Sequence, residues 1–211
     1  MRRRVIRPLH AIPALLLTLL IAPTAAHGQA QAKQAGAPMA VAKLTPELVT
    51  TRAALEKYND PIVAVRDGYF STVACIDFPH GGQDGPVIYK PGAMGVHFLN
   101  TSNIGPKLDP AKPQVLIYEP VAGKLKLVAA EWFMPVQVAG GKAPTIFGQT
   151  LYGPMYGHEP IMPKELSHYD LHVWLWKPNP RGVFSPTNTA LKCPAGDPYT
   201  YAEGMGAHHH M

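Results

Sequence analysis

The sequence contains only two cysteines, Cys75 and Cys193, among 211 residues. Two thiols so far apart form no paired-cysteine zinc motif, which excludes that class of structural metal site. In an oxidising compartment such a pair is expected to form one disulfide, and two separate thiols acting as metal ligands are the alternative. A disulfide would tie the front of the folded part to its end. In the chain-entropy model a loop of this length adds roughly 4–5 kcal/mol of stability.

The chain also has little net charge outside its N-terminal segment. The whole chain carries 19 basic and 14 acidic residues, but residues 1–28 hold four arginines and no acid. Without that segment 15 basic and 14 acidic residues remain, a net charge of +1. Nucleic-acid binding needs a clustered basic face, so the composition predicts no nucleic-acid partner.

No apolar run reaches the length that spans a bilayer. The longest, residues 12–22, is roughly half of the ~20 residues required. It follows Arg2, Arg3, Arg4 and Arg7 and precedes small residues, which is the layout of a secretory signal peptide over residues 1–28. We therefore predict a periplasmic or secreted protein with no stable membrane span after cleavage. A retained anchor is the alternative, and a loose twin-arginine pattern leaves the export route open.

The common catalytic signatures are missing as well. The sequence has no G-x-S-x-G elbow, no phosphate-cradling loop, no G-x-G-x-x-G, no C-x-x-C-H and no H-E-x-x-H. Any chemistry must therefore come from residues that are distant in the chain.

The remaining pattern predicts an α+β fold, with short N-terminal helices followed by a mostly antiparallel β-sheet domain, barrel or sandwich. We expect a flexible linker over residues 29–43, one β-rich domain over 44–201 and a disordered tail over 202–211. Thr45-Pro46-Glu47 predicts the start of a helix. The buried face of this helix is predicted to consist of Leu48, Thr51, Leu55 and Tyr58. The predicted strands cover residues 69–78, 93–99, 114–119, 124–138 and 170–177. The Gly/Pro-rich segment 79–92 is predicted to be a long loop.

Glu131 is the most informative anomaly. In "KLKLVAAEWFM" alternation places it on one face with the apolar side chains Leu125, Leu127, Ala129 and Phe133. A buried carboxylate is unfavourable unless it is paired, hydrogen-bonded or metal-bound. A bulge that turns Glu131 outward, or a plain salt bridge to a basic residue, are the alternatives.

Two further strands carry inward polar residues. His97 in "AMGVHFLN" lies opposite Met94, Val96 and Phe98 in alternation, and "SHYDLHVWLWK" places His168, Asp170 and His172 on one face. Residues four apart on a strand are about 13 Å apart, so His168 and His172 are not expected to share a metal. Core or solvated histidines without chemistry are the alternative.

We predict a metal site from these residues, with His97, Glu131 and His172 as ligands and Asp170 as a further ligand or support. Two imidazoles and one carboxylate suit a divalent iron, zinc, copper or manganese ion. The first hypothesis is therefore an exported protein that binds a metal ion or a small-molecule ligand through an inward polar cluster. The second is a metal-dependent enzyme, such as a cupin-like oxygenase or hydrolase. The third is a structural or partner-binding module in which these groups only satisfy each other.

Several motifs carry a resemblance. The chain has the segments GAMGVHF and LHVWLWKPNPRGVF, with QVLIYEP and LVAAEWF between them and a late cysteine. With them it resembles an uncharacterised group of exported bacterial proteins over about residues 44–193. The resemblance implies export and a single domain, and it implies no activity.

Overall fold

The structure is a computed structural model that describes residues 43–157, 162–195 and 200–202. The predicted signal peptide, most of the predicted linker and all but the first residue of the predicted tail lie outside these residues. Among the described residues no helix has both the length and the apolar character to cross a membrane.

The first helix, α1, spans Pro46–Leu55 and begins where the sequence predicts it. Thr45 Oγ1 accepts a hydrogen bond from the Leu48 backbone N–H at 3.3 Å. Proline at the first helical position removes one of the N–H groups that a helix start leaves unbonded. A 3-10 turn, Glu56–Asn59, continues the helix. The four residues of the predicted face are all buried: Leu48, Thr51, Leu55 and Tyr58.

The second helix, α2, spans Pro61–Arg66. Asp60 Oδ1 accepts from the Ile62 N–H at 2.9 Å and caps its first turn. Gly68 follows with φ +94°, a left-handed conformation that ends the helix with little strain only at glycine. The chain then enters the sheet.

The predicted α+β class is confirmed, and the sheet is an open, curled half-barrel. Its strands in chain order are β1 (Phe70–Phe78), β2 (Gly82–Asp84), β3 (Val87–Tyr89), β4 (Gly92–Leu99), β5 (Val115–Val121), β6 (Lys124–Pro135), β7 (Thr145–Ile146), β8 (Gln149–Thr150), β9 (Tyr152–Met155), β10 (His168–Val173) and β11 (Thr200–Ala202). The main sheet has the order β11-β1-β4-β5-β6-β10-β9. Neighbouring strands in it are antiparallel except β1 and β11, which are parallel.

The predicted long loop over residues 79–92 contains a hairpin instead. Its strands β2 and β3 pair through the register Asp84↔Val87. Gly85 is the first of the two central turn residues and has φ +54°, and glycine is the residue that a two-residue type II′ hairpin turn favours at this position. Val87 and Tyr89 are buried, so this segment belongs to the core.

Two predicted strands have different ends. The chain leaves β6 at Pro135, which has no N–H for a ladder bond, and continues as the single-turn helix α3, Val136–Ala139. The last predicted strand ends at Val173 rather than at residue 177, because the Trp174 N–H bonds to Val183 O outside the sheet.

The alternation predicted for β6 is wrong at Leu127. Two consecutive residues of β5, Ile117 and Tyr118, pair with Ala129 and Leu127. Val128 is therefore an extra residue that forms a bulge. Leu127 therefore packs in the same cluster as Trp132, whereas Ala129 packs with Phe133 in a second cluster. Both faces of this strand are buried after the bulge.

The predicted disulfide between Cys75 and Cys193 is confirmed, with a Cα–Cα distance of 5.7 Å. The bond closes a loop with a sequence separation of 118. It joins β1 to the segment that follows Leu191, and both sulfurs pack against the apolar core.

Candidate metal centre

Three strands of the curled sheet bring His97, Glu131 and His172 together. His172 on β10 is the register partner of Glu131 on β6. His97 lies on β4, and β5 separates β4 from β6. On a flat sheet two strands with one between them are about 10 Å apart. The curl of the sheet and the length of the side chains close that gap.

Both carboxylate-to-imidazole distances match the spacing of ligands around one metal ion. Glu131 Oε2 lies 3.4 Å from His97 Nε2 and 3.5 Å from His172 Nε2. The three side chains each offer an atom within 4.8 Å of the others, and the two imidazole centroids are 5.9 Å apart. Two ligands with bonds of about 2.1 Å lie about 3.4 Å apart in tetrahedral geometry. These three side chains could hold a metal ion.

The cluster is buried and incompletely hydrogen-bonded. Glu131 is 4% exposed and His97 is 9% exposed. Among the described residues Glu131 Oε2 and His97 Nδ1 have no hydrogen-bond partner. Burying such groups without partners costs free energy, and a bound cation would compensate the carboxylate oxygen directly.

Electrostatics keep Glu131 ionised. Burial raises the pKa of its carboxyl, but the neighbouring imidazoles of His172, His97 and His168 lower that pKa by more, to below its ordinary value. An ionised carboxylate is the form that binds a cation. The bulge at Val128 does not expose Glu131, because both faces of β6 are covered at that point.

Asp170 lies on the far side of His172. Its Oδ1 is 3.9 Å from His172 Nδ1, whereas His172 Nε2 faces Glu131. Asp170 is therefore beside the group of three donor atoms and not within it. Burial, together with the charges of Glu131 and Asp84, raises the pKa of the Asp170 carboxyl. A carboxyl group beside the second nitrogen of a ligand histidine commonly orients that histidine.

His168 has a separate environment. Its Nδ1 is 3.0 Å from Leu166 O, and its ring packs on Phe133 with centroids 4.6 Å apart. It is not among the three clustered donors, as strand spacing predicts. The loop residue His80 is exposed. The other histidines considered from the sequence, at 158 and 208–210, lie outside the described residues, as does Glu159.

Two bulges shape the surroundings of His97. In β4 the residue Met94 is an extra residue between the partners of Asp77 and Ile76. The next residue, Gly95, has φ +99°, and a Cβ there would lie 2.6 Å from Tyr118 O, so only glycine fits. The bulge turns Met94 into the cavity that His97 lines, although simple alternation places them on opposite faces.

The second bulge is in β1, where the three residues between Ser71 and Cys75 lie opposite the single β4 residue His97. Within it Val73 has φ +58°, a strained conformation for a β-branched residue. Ser71 Oγ accepts from the Val73 N–H at 3.0 Å and holds the turn. Thr72 Oγ1 donates to the His97 carbonyl at 3.1 Å. Bulges and strained residues are concentrated at functional sites, but neither bulge has a signature in alternation alone.

Comparison of the chain with protein-family models, with curated proteins and with solved structures finds no match. The function must therefore be argued from the geometry of the cluster.

Proposed function

We propose that the protein is an exported metal-binding protein that holds one first-row divalent transition metal through His97, Glu131 and His172. The observation that carries the proposal is the pair of 3.4 Å and 3.5 Å distances from one carboxylate oxygen to two imidazole nitrogens. Asp170 would orient His172 by contact with its other nitrogen.

The donor set favours a transition metal over magnesium or calcium. Two imidazole nitrogens and one carboxylate suit iron, zinc, manganese or copper, whereas magnesium and calcium prefer oxygen ligands only. Three protein ligands also leave at least one coordination position for water or a ligand, as in catalytic metal sites. This open position favours the small-ligand and enzyme hypotheses over the purely structural one.

A second buried glutamate in the same sheet argues against a purely structural role. Glu119 on β5 is saturated, because Lys177 Nζ donates to its Oε2 at 2.9 Å and the Lys192 N–H donates to its Oε1 at 3.2 Å. The fold can thus satisfy a buried carboxylate. Among the described residues Glu131 Oε2 faces only the two imidazoles, at distances longer than good hydrogen bonds.

Export is supported by two features. The N-terminal segment has the layout of a signal peptide, and the Cys75–Cys193 disulfide fits an oxidising compartment. The resemblance to exported bacterial proteins points in the same direction.

The test is the metal content of the purified protein. We would replace the three terminal histidines by serine to remove adventitious binding, reconstitute with each of the four metals, dialyse, and measure metal per chain by mass spectrometry. About one ion per chain is expected, with metal–nitrogen bonds of about 2.0–2.1 Å by X-ray absorption.

Glu131→Gln, His97→Gln and His172→Gln should each abolish stoichiometric binding. The matched control is His80→Gln, which removes an exposed histidine and should leave the metal content unchanged. Less than about one tenth of an ion per chain in the unsubstituted cluster would refute the proposal, since a site of this kind binds stoichiometrically.

A further inference from the structure

A small cavity opens beside the three donor atoms. It offers about 40 Å³ to the centre of a water-sized sphere. One water needs about 10–15 Å³ by this measure, so there is room for a metal-bound molecule of two or three heavy atoms. Drug-sized ligands need pockets of roughly 300 Å³ or more, so a bulky substrate does not fit.

The wall of this cavity is largely apolar. Besides the donors it is formed mainly by Ile76, Phe78, Met94, Leu99, Val115 and Met162. Three different strands of the sheet, β1, β4 and β5, supply five of these side chains. Such a wall gives favourable contacts to an apolar guest and none of the hydrogen bonds that a charged guest loses on leaving water.

Two polar side chains of the wall, besides the proposed ligands, are already engaged. Thr72 Oγ1 donates to the His97 carbonyl, and His168 Nδ1 is within hydrogen-bond distance of Leu166 O. No lysine or arginine is among the described residues that line the cavity. An anionic guest therefore gains no salt bridge to lysine or arginine from the described residues of this wall.

We infer that the open position of the metal faces this cavity and takes a small neutral diatomic molecule, of the size of dioxygen or nitric oxide. This inference rests on the proposed metal site and specifies its ligand. The apolar wall favours a neutral guest over an anion, and the volume leaves no room for a large organic substrate.

The test uses the full chain loaded with Fe(II) under anaerobic conditions and nitric oxide as the probe. One nitric oxide per iron is expected, seen as a new visible absorption and as an electron paramagnetic resonance signal. Azide serves as the anionic probe and should produce no spectral change at concentrations at which nitric oxide saturates.

A substitution that fills the cavity tests the role of the cavity independently of the metal site. Leu99→Phe adds bulk to the wall at a half-buried strand end and leaves the three ligands in place. Overpacking of this kind should weaken nitric oxide binding about tenfold or more, while iron content stays the same. The matched control is Leu108→Phe, also half-buried but absent from the lining, which should bind nitric oxide normally.

The outcomes are distinguishable. A chain that takes up no transition metal overturns both proposals. Iron uptake without nitric oxide binding, zinc uptake without iron uptake, or azide binding as strong as that of nitric oxide overturns the inference and leaves the metal site standing. Unchanged nitric oxide binding by Leu99→Phe also overturns it, and the comparison with azide decides the matter if that variant does not fold.

Discussion

Glu131→Gln should abolish the stabilisation of the protein by metal and leave the metal-free protein almost unchanged. The substitution keeps the shape of the side chain and removes the anionic oxygen that faces both imidazoles. In the metal-free protein this oxygen makes no hydrogen bond with a described residue, and its attraction to the neighbouring imidazoles is offset by the free-energy cost of burying the charge, so the net loss is small. We expect a change of no more than about 1 kcal/mol in the free energy of unfolding, the size of one ordinary hydrogen bond.

Bound metal should contribute more to the free energy of unfolding than the substitution changes in the metal-free protein. A ligand at 100 times its dissociation constant stabilises the folded state by about 2.7 kcal/mol. For a folded part of about 150 residues this raises Tm by about 5–11 °C. The original protein should show that shift on addition of zinc, and Glu131→Gln should show none. Differential scanning calorimetry with and without metal measures both quantities on the same samples.

Glu119→Gln provides the matched control. This glutamate is also buried on the sheet, but it accepts bonds from Lys177 and from the Lys192 N–H. Its loss leaves a half-buried lysine without its partner, so Tm should fall equally with and without metal, and the metal shift should persist. If Glu131→Gln instead lowers Tm as Glu119→Gln does, and zinc shifts neither variant nor the original protein, the cluster is structural and our reasoning is refuted.

Three further outcomes are expected. Replacing Cys75 and Cys193 together by alanine should lower the free energy of unfolding by about 2–5 kcal/mol in denaturant titrations, and a loss below about 1 kcal/mol would contradict this. Asp170→Asn should weaken metal affinity about 10–100-fold while leaving the saturated stoichiometry intact, and an unchanged affinity in competition with a chelator would remove Asp170 from this role. Burial raises the pKa of the Tyr69 and Tyr118 phenols, so their contribution to stability is complete below pH ~10 and is lost as pH rises above it. Absorbance at high pH should show these two tyrosines ionising together with unfolding, and ionisation in the folded protein would contradict the prediction.

The parts of the fold that follow from local chemistry were predictable. The capping threonine and the proline after it set the start of α1, and its buried face repeats at helical spacing from Leu48 to Tyr58. The α+β class likewise follows from short helices placed before a series of β-type segments. These features depend on residues within one or two turns of each other, so a single sequence contains the information.

The bulges were not predictable in the same way. Val128 and Met94 are extra residues in their strands only because the neighbouring strand sets the register. One extra residue reverses the faces of everything after it, so alternation placed Leu127 with Glu131 and placed Met94 away from His97. Glu131 was nevertheless correctly predicted to be buried, since β6 is covered on both faces.

The meeting of His97, Glu131 and His172 is a property of the curled sheet, and its energetics argue for a role beyond packing. Each residue can be found from the sequence as a polar group in an apolar strand, but β5 lies between two of them, and only curvature brings them into contact. In the metal-free protein the arrangement leaves Glu131 Oε2 and His97 Nδ1 buried without hydrogen bonds to described residues, each at a cost of about 1–3 kcal/mol. The same sheet saturates Glu119 with two donors, so this fold has the means to avoid that cost. A cation among the three donors would compensate the carboxylate charge and use both imidazole nitrogens.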